Sequence, residues 1–296
     1  MSEDKFVELK TGVNLCYRDY GKSSGDPILL VIGLGFQLIH WPGELIETLC
    51  QNGHRVITFD NRDSGRSSRI DGPEPSLWQK LTGKAPKGAY GLDDMAEDAM
   101  QLLDHLDLDR AHVAGMSMGG MIAQVIAARY PERVKSLISI FSTTGARNVG
   151  QPVPRLMLHF AKPTEKSREA YIAWNLKTIK LAGGPGFPSD PEANRELFRQ
   201  AWDRGAPDLV HAMSRQVGAI FKSGDRTNQV KTIQAPTLVI HGDRDPLVTP
   251  SGGDATAKAI PNAQHVVIPE MGHEISPALV PKLAELMLGH TRQHTE

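Results

Sequence analysis

The sequence predicts an α/β protein with a mostly parallel central sheet and helices on both faces of that sheet. Short, continuously apolar segments recur along the chain, which is typical of strands that are buried on both faces. Segments with an apolar stripe at helical spacing lie between them, as a repeated β-α arrangement requires. The apolar segments are 27–32, 54–59, 111–114, 134–141, 237–240 and 265–268.

The start of the chain has an alternating pattern instead. Segments 6–11 and 13–20, on either side of Gly12, alternate apolar and polar residues, which predicts an antiparallel hairpin at the edge of the sheet. We expect helices to connect the parallel strands, and the last helix to end at Gly289. The predicted helices span 41–51, 92–106, 118–129, 254–259 and 277–288.

The β-α pattern is interrupted between Gly145 and Thr232. This stretch contains two amphipathic helical segments, 168–181 and 191–202, separated by a Gly-Gly-Pro-Gly break at 183–186, and no convincing strand. We interpret residues 145–232 as a helical cap inserted into a core of residues 1–144 and 233–296. The insertion lies on the side where parallel strands end, which is where open α/β sheets bind ligands.

Composition and charge narrow the class of protein. The net charge of −1 gives no reason to expect nucleic acid or an anionic membrane as a partner. Cys16 and Cys50 lack metal or redox spacing, and the polar N-terminus lacks the features of a signal peptide. The longest apolar run, 28–39, is shorter than the roughly 20 residues of a membrane span. We therefore expect a cytoplasmic protein without a membrane partner; nothing indicates its oligomeric state.

Ser117 is the candidate nucleophile. It lies in Gly115-Met116-Ser117-Met118-Gly119, between an apolar strand and a helix with small side chains. A Gly-x-Ser-x-Gly pattern alone is common, but a sharp strand-to-helix turn is the setting that a nucleophile elbow requires, with the glycines avoiding collisions around the serine. The alternative is a packing turn that needs small residues.

A serine hydroxyl needs a base to accept its proton and an acid to orient that base. Asp243 and Asp245 follow the segment 237–240, and His273 follows 265–268. Because parallel strands end at one edge of a sheet, these loops and the Ser117 turn are expected to meet there. The chain order Ser, Asp, His is that of α/β-hydrolases. Either aspartate could be the acid, and His273 could instead cap the final helix.

The motifs resemble those of an α/β-hydrolase with a cap, and within that superfamily those of bacterial carboxylesterases related to aclacinomycin methylesterase. The resemblance implies that Ser117 is the nucleophile, His273 the base and Asp245 the acid, since the family's acid is the last aspartate of such a Gly-x-x-Asp turn. It covers nearly the whole core and leaves the cap unmatched. The matching residues are 29–33, 41–42, 59–67, 115–119, 236–240, 245–246 and 269–273.

Two backbone amides are expected to form the oxyanion hole of such an enzyme. One is that of Met118, directly after the nucleophile and at the start of a helix whose dipole favours an anion. The other, by position in the loop after 27–32, is that of Leu34. Many relatives have His-Gly in this loop, whereas this chain has Ile32-Gly33-Leu34-Gly35.

Neither a cofactor nor a metal ion is expected. Gly33-x-Gly35 does not continue into a dinucleotide-binding or P-loop pattern. His241, Asp243 and Asp245 lack metal-ligand spacing, and a metal there would compete with the acid. The turn 61–67 is interpreted as structural, with an Asp63–Arg66 pair.

The predicted function is the hydrolysis of a small-molecule carboxylic ester by a serine hydrolase, through an acyl-enzyme intermediate. Other reactions of the same three residues remain open: lactone hydrolysis, carbon-carbon bond hydrolysis and perhydrolysis. A further alternative is a ligand-binding member of the fold without turnover. An aspartate would be expected at position 117 in a haloalkane dehalogenase or an epoxide hydrolase.

Overall fold

The structure, a computed structural model, describes residues 2–160, 167–205 and 209–295. These residues form an eight-stranded sheet in the order β1-β2-β4-β3-β5-β6-β7-β8. The pairs β1-β2 and β2-β4 are antiparallel and the other pairs are parallel. The strands are β1 (Lys5–Glu8), β2 (Asn14–Tyr20), β3 (Asp26–Val31), β4 (His54–Phe59), β5 (Ala111–Met116), β6 (Val134–Ile140), β7 (Thr237–Gly242) and β8 (Gln264–Ile268).

The predicted α/β architecture with a mostly parallel sheet is confirmed, as is the edge hairpin. Gly12 has a φ of 80° in the turn between β1 and β2, a left-handed conformation that glycine adopts without strain. The helices are α1 (Gly43–Gln51), α2 (Leu77–Thr82), α3 (Leu92–His105), α4 (Met118–Arg129), α5 (Pro154–Phe160), α6 (Arg168–Ala182), α7 (Pro191–Gly205), α8 (Leu209–Ser223), α9 (Thr227–Val230), α10 (Ser251–Ala259) and α11 (Val280–Thr291).

The end predicted for the final helix is wrong. Helix α11 continues through Gly289 to Thr291. Thr291 is fully buried, and its hydroxyl lies 2.9 Å from Nε2 of His54 on β4. This tertiary contact fixes the last turn against the sheet, so the local tendency of glycine to end a helix does not decide the boundary.

Helices cover the sheet on both faces, because successive side chains of a buried strand point to opposite sides. On β3, Leu29 and Val31 belong to one apolar cluster, together with residues of α3 and α4. Ile28 and Leu30 belong to the other cluster, together with residues of α1 and α11. The resulting three-layer core sets the positions of the loops at the carboxyl ends of the strands.

Helices α5 to α9 lie between β6 and β7 in the chain, and the described part of this insertion contains no strand. Helices α6 and α7 share an apolar cluster that includes Tyr171 and Phe198 and packs against Phe36 and Ile39 of the core. The division into a core and a cap at residues 145–232 remains a proposal. No helix in the described ranges has the length and apolar character needed to cross a membrane.

Candidate active site

Ser117 stands at a sharp turn between β5 and α4. Its backbone angles, φ 54° and ψ −121°, are strained for a residue with a side chain. The surroundings are too tight for a Cβ on either side: one added to Gly115 would lie 2.1 Å from the Gly119 oxygen, and one added to Gly119 would lie 2.1 Å from the Val31 oxygen. The turn therefore has the geometry of a nucleophile elbow.

His273 joins Ser117 to Asp245 through two contacts. Its Nε2 atom lies 3.0 Å from the Ser117 Oγ, and its Nδ1 atom lies 2.6 Å from Oδ2 of Asp245. The ring of Phe141 packs against the imidazole, with 4.4 Å between ring centroids. The structure thus brings together the serine, histidine and aspartate that the sequence nominated, although they are up to 156 residues apart in the chain.

The carboxylate of Asp245 is buried and firmly held. Its Oδ1 accepts hydrogen bonds from the amides of Leu247 and Val248, at 2.8 and 2.9 Å. Burial by itself would raise the pKa of Asp245. The charge interaction with His273, and hydrogen bonds from His241 and His273, outweigh it and hold the pKa below its usual value. The group is therefore an anion at neutral pH, poised to stabilise a protonated imidazole.

Asp243 has a different environment from Asp245. Its side chain is exposed, and its Oδ1 accepts a hydrogen bond from the amide of Glu270 at 2.6 Å. Its place in the turn thus directs the carboxylate to the backbone of the loop that precedes His273. Of the two aspartates, only Asp245 contacts the imidazole in the structure as described.

The loop after β3 lies beside Ser117; we call residues 32–36 the oxyanion loop. A Cβ built on Gly33 would lie 3.3 Å from the Ser117 Cβ. Within the described hydrogen-bond network, the amides of Leu34 and Met118 donate to no other group. Met118 is the first residue of α4, where helix amides are free and the helix dipole favours negative charge. The loop that carries Leu34 and the first turn of α4 therefore flank Ser117, and the two amides remain the predicted oxyanion donors.

The sequence matches a known protein family over most of its length. The profile of the family described as "alpha/beta hydrolase fold" matches residues 26–277, which include Ser117, Asp245 and His273. The chain belongs to this family. This match confirms the resemblance to α/β-hydrolases and the fold class that the motifs of this hydrolase predict.

Relatives of the hydrolase include esterases. A rhodomycin D methylesterase of Streptomyces sp. (strain C5) is 31% identical, over 97% of each chain. A rhodomycin D methylesterase of Streptomyces peucetius is 30% identical, over 96% of each chain. A solved structure of an esterase from Thermogutta terrifontis covers 100% of both chains with 25% identity and a TM-score of 0.75. These similarities agree with the predicted class of activity, the hydrolysis of carboxylic esters.

The ion pair predicted within the turn 61–67 of the hydrolase is wrong. Asp63 does not pair with Arg66. It binds the guanidinium of Arg215 on α8, with 2.7 Å from Nη2 to Oδ1, and accepts a hydrogen bond from the Tyr90 hydroxyl at 2.9 Å. Arg66 pairs with Asp4 at 2.9 Å. The side chain of Asp63 is fully buried and paired with α8, whereas that of Arg66 is half exposed and paired with Asp4.

The hydrolase also uses residues that sequence reasoning missed. The carbonyl of Ala182, at the end of α6, accepts the amide hydrogen of His273 at 2.8 Å. The side chain of Gln216 on α8 accepts the amide hydrogen of Gly35 in the oxyanion loop at 2.9 Å. For the contact between Ala182 and His273, the only local sign in the sequence is the Gly-Gly-Pro-Gly break at 183–186, which ends the preceding helix. The second has none, because its partners are 181 residues apart.

Over residues 2–160, 167–205 and 209–295, no group of three or more histidine, cysteine, aspartate or glutamate side chains could hold a metal ion. His241 donates its Nε2 hydrogen to the carbonyl of Val248 at 2.7 Å, and this nitrogen lies 3.5 Å from Oδ2 of Asp245. Its imidazole therefore supports the Asp245 turn. The expectation of a cofactor-free enzyme remains a prediction.

Proposed function

We propose that the hydrolase cleaves carboxylic esters through an acyl-enzyme intermediate on Ser117, with His273 as the base and Asp245 as the acid. The observation that carries this proposal is the continuous chain of contacts from Asp245 through His273 to Ser117, at 2.6 and 3.0 Å. Its geometry matches the arrangement that activates a serine for nucleophilic attack. The similarity to methylesterases supports an ester as the substrate.

In the first half of the reaction, the Ser117 oxygen attacks the ester carbonyl carbon while His273 Nε2 takes the serine proton. Asp245 stabilises the imidazolium that forms. The carbonyl oxygen becomes an oxyanion and accepts hydrogen bonds from the amides of Leu34 and Met118. Each such donor contributes roughly 3 kcal/mol to transition-state stabilisation in comparable enzymes.

The tetrahedral intermediate then collapses. The bond between the acyl carbon and the alcohol oxygen breaks, and His273 gives its proton to the leaving alkoxide. In the second half, His273 takes a proton from water, and the resulting hydroxide attacks the acyl carbon. Collapse of this second intermediate breaks the bond to Ser117, which regains the proton. The balance is one ester and one water converted to one acid and one alcohol.

The alcohol part of the substrate is proposed to be methanol. Two relatives that match nearly the whole chain are named as methylesterases. Methanol release from a panel of methyl esters of acids of different size and polarity tests this point, with the matching ethyl and butyl esters as controls. Faster turnover of the larger alkyl esters or of lactones would contradict a methylesterase while leaving the acyl-enzyme mechanism intact.

Labelling with a fluorophosphonate probe tests the mechanism. We expect the wild-type protein to be labelled at Ser117, and Ser117→Ala and His273→Ala to remain unlabelled and without esterase activity. Circular dichroism and thermal unfolding establish that the variants are folded. A folded wild-type protein that is neither labelled nor active would refute the proposal and favour a ligand-binding member of the fold.

A further inference from the structure

We infer that Gln216, on the cap helix α8, is a positioning residue for the oxyanion loop. The inference rests on the proposed function, because it concerns the amide of Leu34 as a donor to the oxyanion. Gln216 is fully buried. In this role it contacts no reacting group and acts through the backbone of the loop.

The side-chain amide of Gln216 joins two loops of the core. Its Oε1 accepts the amide hydrogen of Gly35, and its Nε2 donates to the carbonyl of Arg62, each at 2.9 Å. Gly35 follows β3 and Arg62 follows β4, so both partners belong to loops at the carboxyl edge of the sheet. A single buried side chain from the cap therefore satisfies one polar backbone group in each loop.

Helix α8 covers the oxyanion loop closely. Gly35 has a φ of 69°, and a Cβ placed on it would lie 3.0 Å from Sδ and 3.1 Å from Cγ of Met213. This packing leaves the Gly35 amide only partly accessible. Without Gln216, the amide loses its partner in the described hydrogen bonds, and the loop loses the contact that fixes the Leu34–Gly35 peptide plane.

Leu34 lies between two anchors of the loop. On one side, Nδ2 of Asn61 donates to the carbonyl of Ile32 at 3.0 Å. On the other side, Gln216 holds the amide of Gly35, which belongs to the peptide plane that also contains the Leu34 carbonyl. The core supplies the first anchor and the cap the second. Rotation of the Leu34–Gly35 peptide would release the second anchor, and the preceding peptide, which carries the Leu34 amide, would then be fixed on one side only.

Helix α8 is itself fixed to the core one residue earlier. Arg215 binds Asp63 through Nε and Nη2, and Asp63 also accepts the hydrogen bond of the Tyr90 hydroxyl. All three side chains are buried or nearly so. The neighbouring ion pair therefore gives Gln216 a rigid base from which to hold the loop.

Gln216→Met removes both hydrogen bonds while nearly preserving the length of the side chain. We expect kcat/KM for p-nitrophenyl esters to fall about 10- to 100-fold, since displacement of an oxyanion donor costs up to the effect of deleting it. Affinity for a trifluoromethyl ketone, which forms a tetrahedral oxyanion with the serine, should fall by the same factor. KM should change little. A purely structural role of Gln216 would not produce this parallel loss.

Gln124→Met is the matched control. Gln124 is also fully buried and also makes two side-chain hydrogen bonds, with Ser139 at 3.1 Å and Arg226 at 3.3 Å, but it makes neither with the oxyanion loop. This variant should lose a comparable amount of thermal stability and keep its affinity for the ketone. An equal loss of ketone affinity in both variants would overturn the inference.

The inference is also overturned if Gln216→Met folds and binds the ketone as tightly as the wild type. If Gln216→Met does not fold, Gln216→Asn provides the same test, because its amide is one methylene too short to reach both loops. Fluorophosphonate labelling of the wild type separates the two proposals. A labelled, active wild type with undiminished ketone affinity in the variants refutes the role of Gln216 alone, whereas an unlabelled and inactive wild type refutes the proposed function and this role with it.

Discussion

Asp245 holds His273 through a contact of 2.6 Å between Oδ2 and Nδ1, while the other oxygen of Asp245 is bound by two backbone amides. The carboxylate therefore cannot rotate without losing hydrogen bonds. Because Nδ1 of His273 donates to this carboxylate, Nε2 is left to accept a proton from Ser117. The orientation of the imidazole is thus set by a loop two strands away from the elbow in the sheet.

The choice between the two aspartates can be tested by the same substitution at each. Asp245→Asn is expected to lower kcat by about 10³- to 10⁴-fold, because an amide can stabilise the wrong tautomer of His273 and cannot balance an imidazolium. Asp243→Asn, whose side chain is exposed and bound to the Glu270 amide, should retain most of the activity. Esterase kinetics on purified, folded variants measure both. The reverse order of activities would assign the acid to Asp243.

The sequence predicts the core and the elbow because their signals are local. Continuous apolar runs mark β3 and β5, alternation around Gly12 marks the hairpin, and the two glycines around Ser117 mark the sharp turn. The loops that carry Asp245 and His273 follow from the end points of parallel strands. Local patterns therefore bring the three residues to one edge of the sheet.

Contacts that helix α8 makes with the loops after β3 and β4 have no local signal in the sequence. Gln216 binds Gly35 and Arg62, which are 181 and 154 residues away in the chain. Asp63 likewise pairs with Arg215, 152 residues away, instead of with its neighbour Arg66. Such pairs depend on how the insertion packs on the core. The end of α11 likewise depends on a distant contact, because the buried Thr291 binds His54 and the helix continues past Gly289.

The elbow is expected to tolerate no side chain at Gly119. A Cβ there would lie 2.1 Å from the Val31 oxygen, so Gly119→Ala must push α4 away from β3. We expect a loss of about 3 kcal/mol in the free energy of unfolding, as in other overpacked cores. Gly72→Ala is the control, since nothing lies within 4 Å of a Cβ at that position. Equal urea midpoints for the two variants would show that the elbow can relax.

Glu274, the neighbour of His273, is expected to destabilise the protein at neutral pH. Burial raises the pKa of its carboxyl group, and the hydrogen bond from Asn194 offsets this only in part. A raised pKa means that the folded state binds the proton more tightly. The contribution of Glu274 to stability is therefore most favourable below its unfolded pKa of about 4.3 and is lost as pH rises through the folded value.

Glu274→Gln removes this charge and keeps an oxygen that can accept the Asn194 hydrogen bond. We expect its Tm to exceed that of the wild type by about 2 °C at pH 8, and the difference to vanish below pH of about 4. Thermal unfolding of both proteins across this pH range measures the effect. A Tm difference that does not depend on pH would mean that packing, and not ionisation, distinguishes the two side chains.

The insertion between β6 and β7 also contacts the loop that carries His273, through the break at 183–186. The Ala182 carbonyl accepts the His273 amide hydrogen, and the Gly186 amide donates to the Glu270 carbonyl at 3.2 Å. Gly184 lies so close to this loop that a Cβ would stand 2.2 Å from both the Glu270 oxygen and the Gly272 nitrogen. The inserted segment between β6 and β7 therefore takes part in positioning the loop that carries the imidazole.

Gly184→Ala is expected to move the break away from the loop and to weaken the bond between Ala182 and His273. Because sub-ångström misplacement of a base slows proton transfer, kcat should fall about 10-fold or more with a smaller change in KM. Gly289→Ala, at an open position of α11 with nothing within 4 Å of its Cβ, serves as the control and should keep its activity. Undiminished kcat in a folded Gly184→Ala variant would show that His273 keeps its position without the close contact of the break. A fall in thermal stability together with undiminished kcat would assign the break a purely structural role.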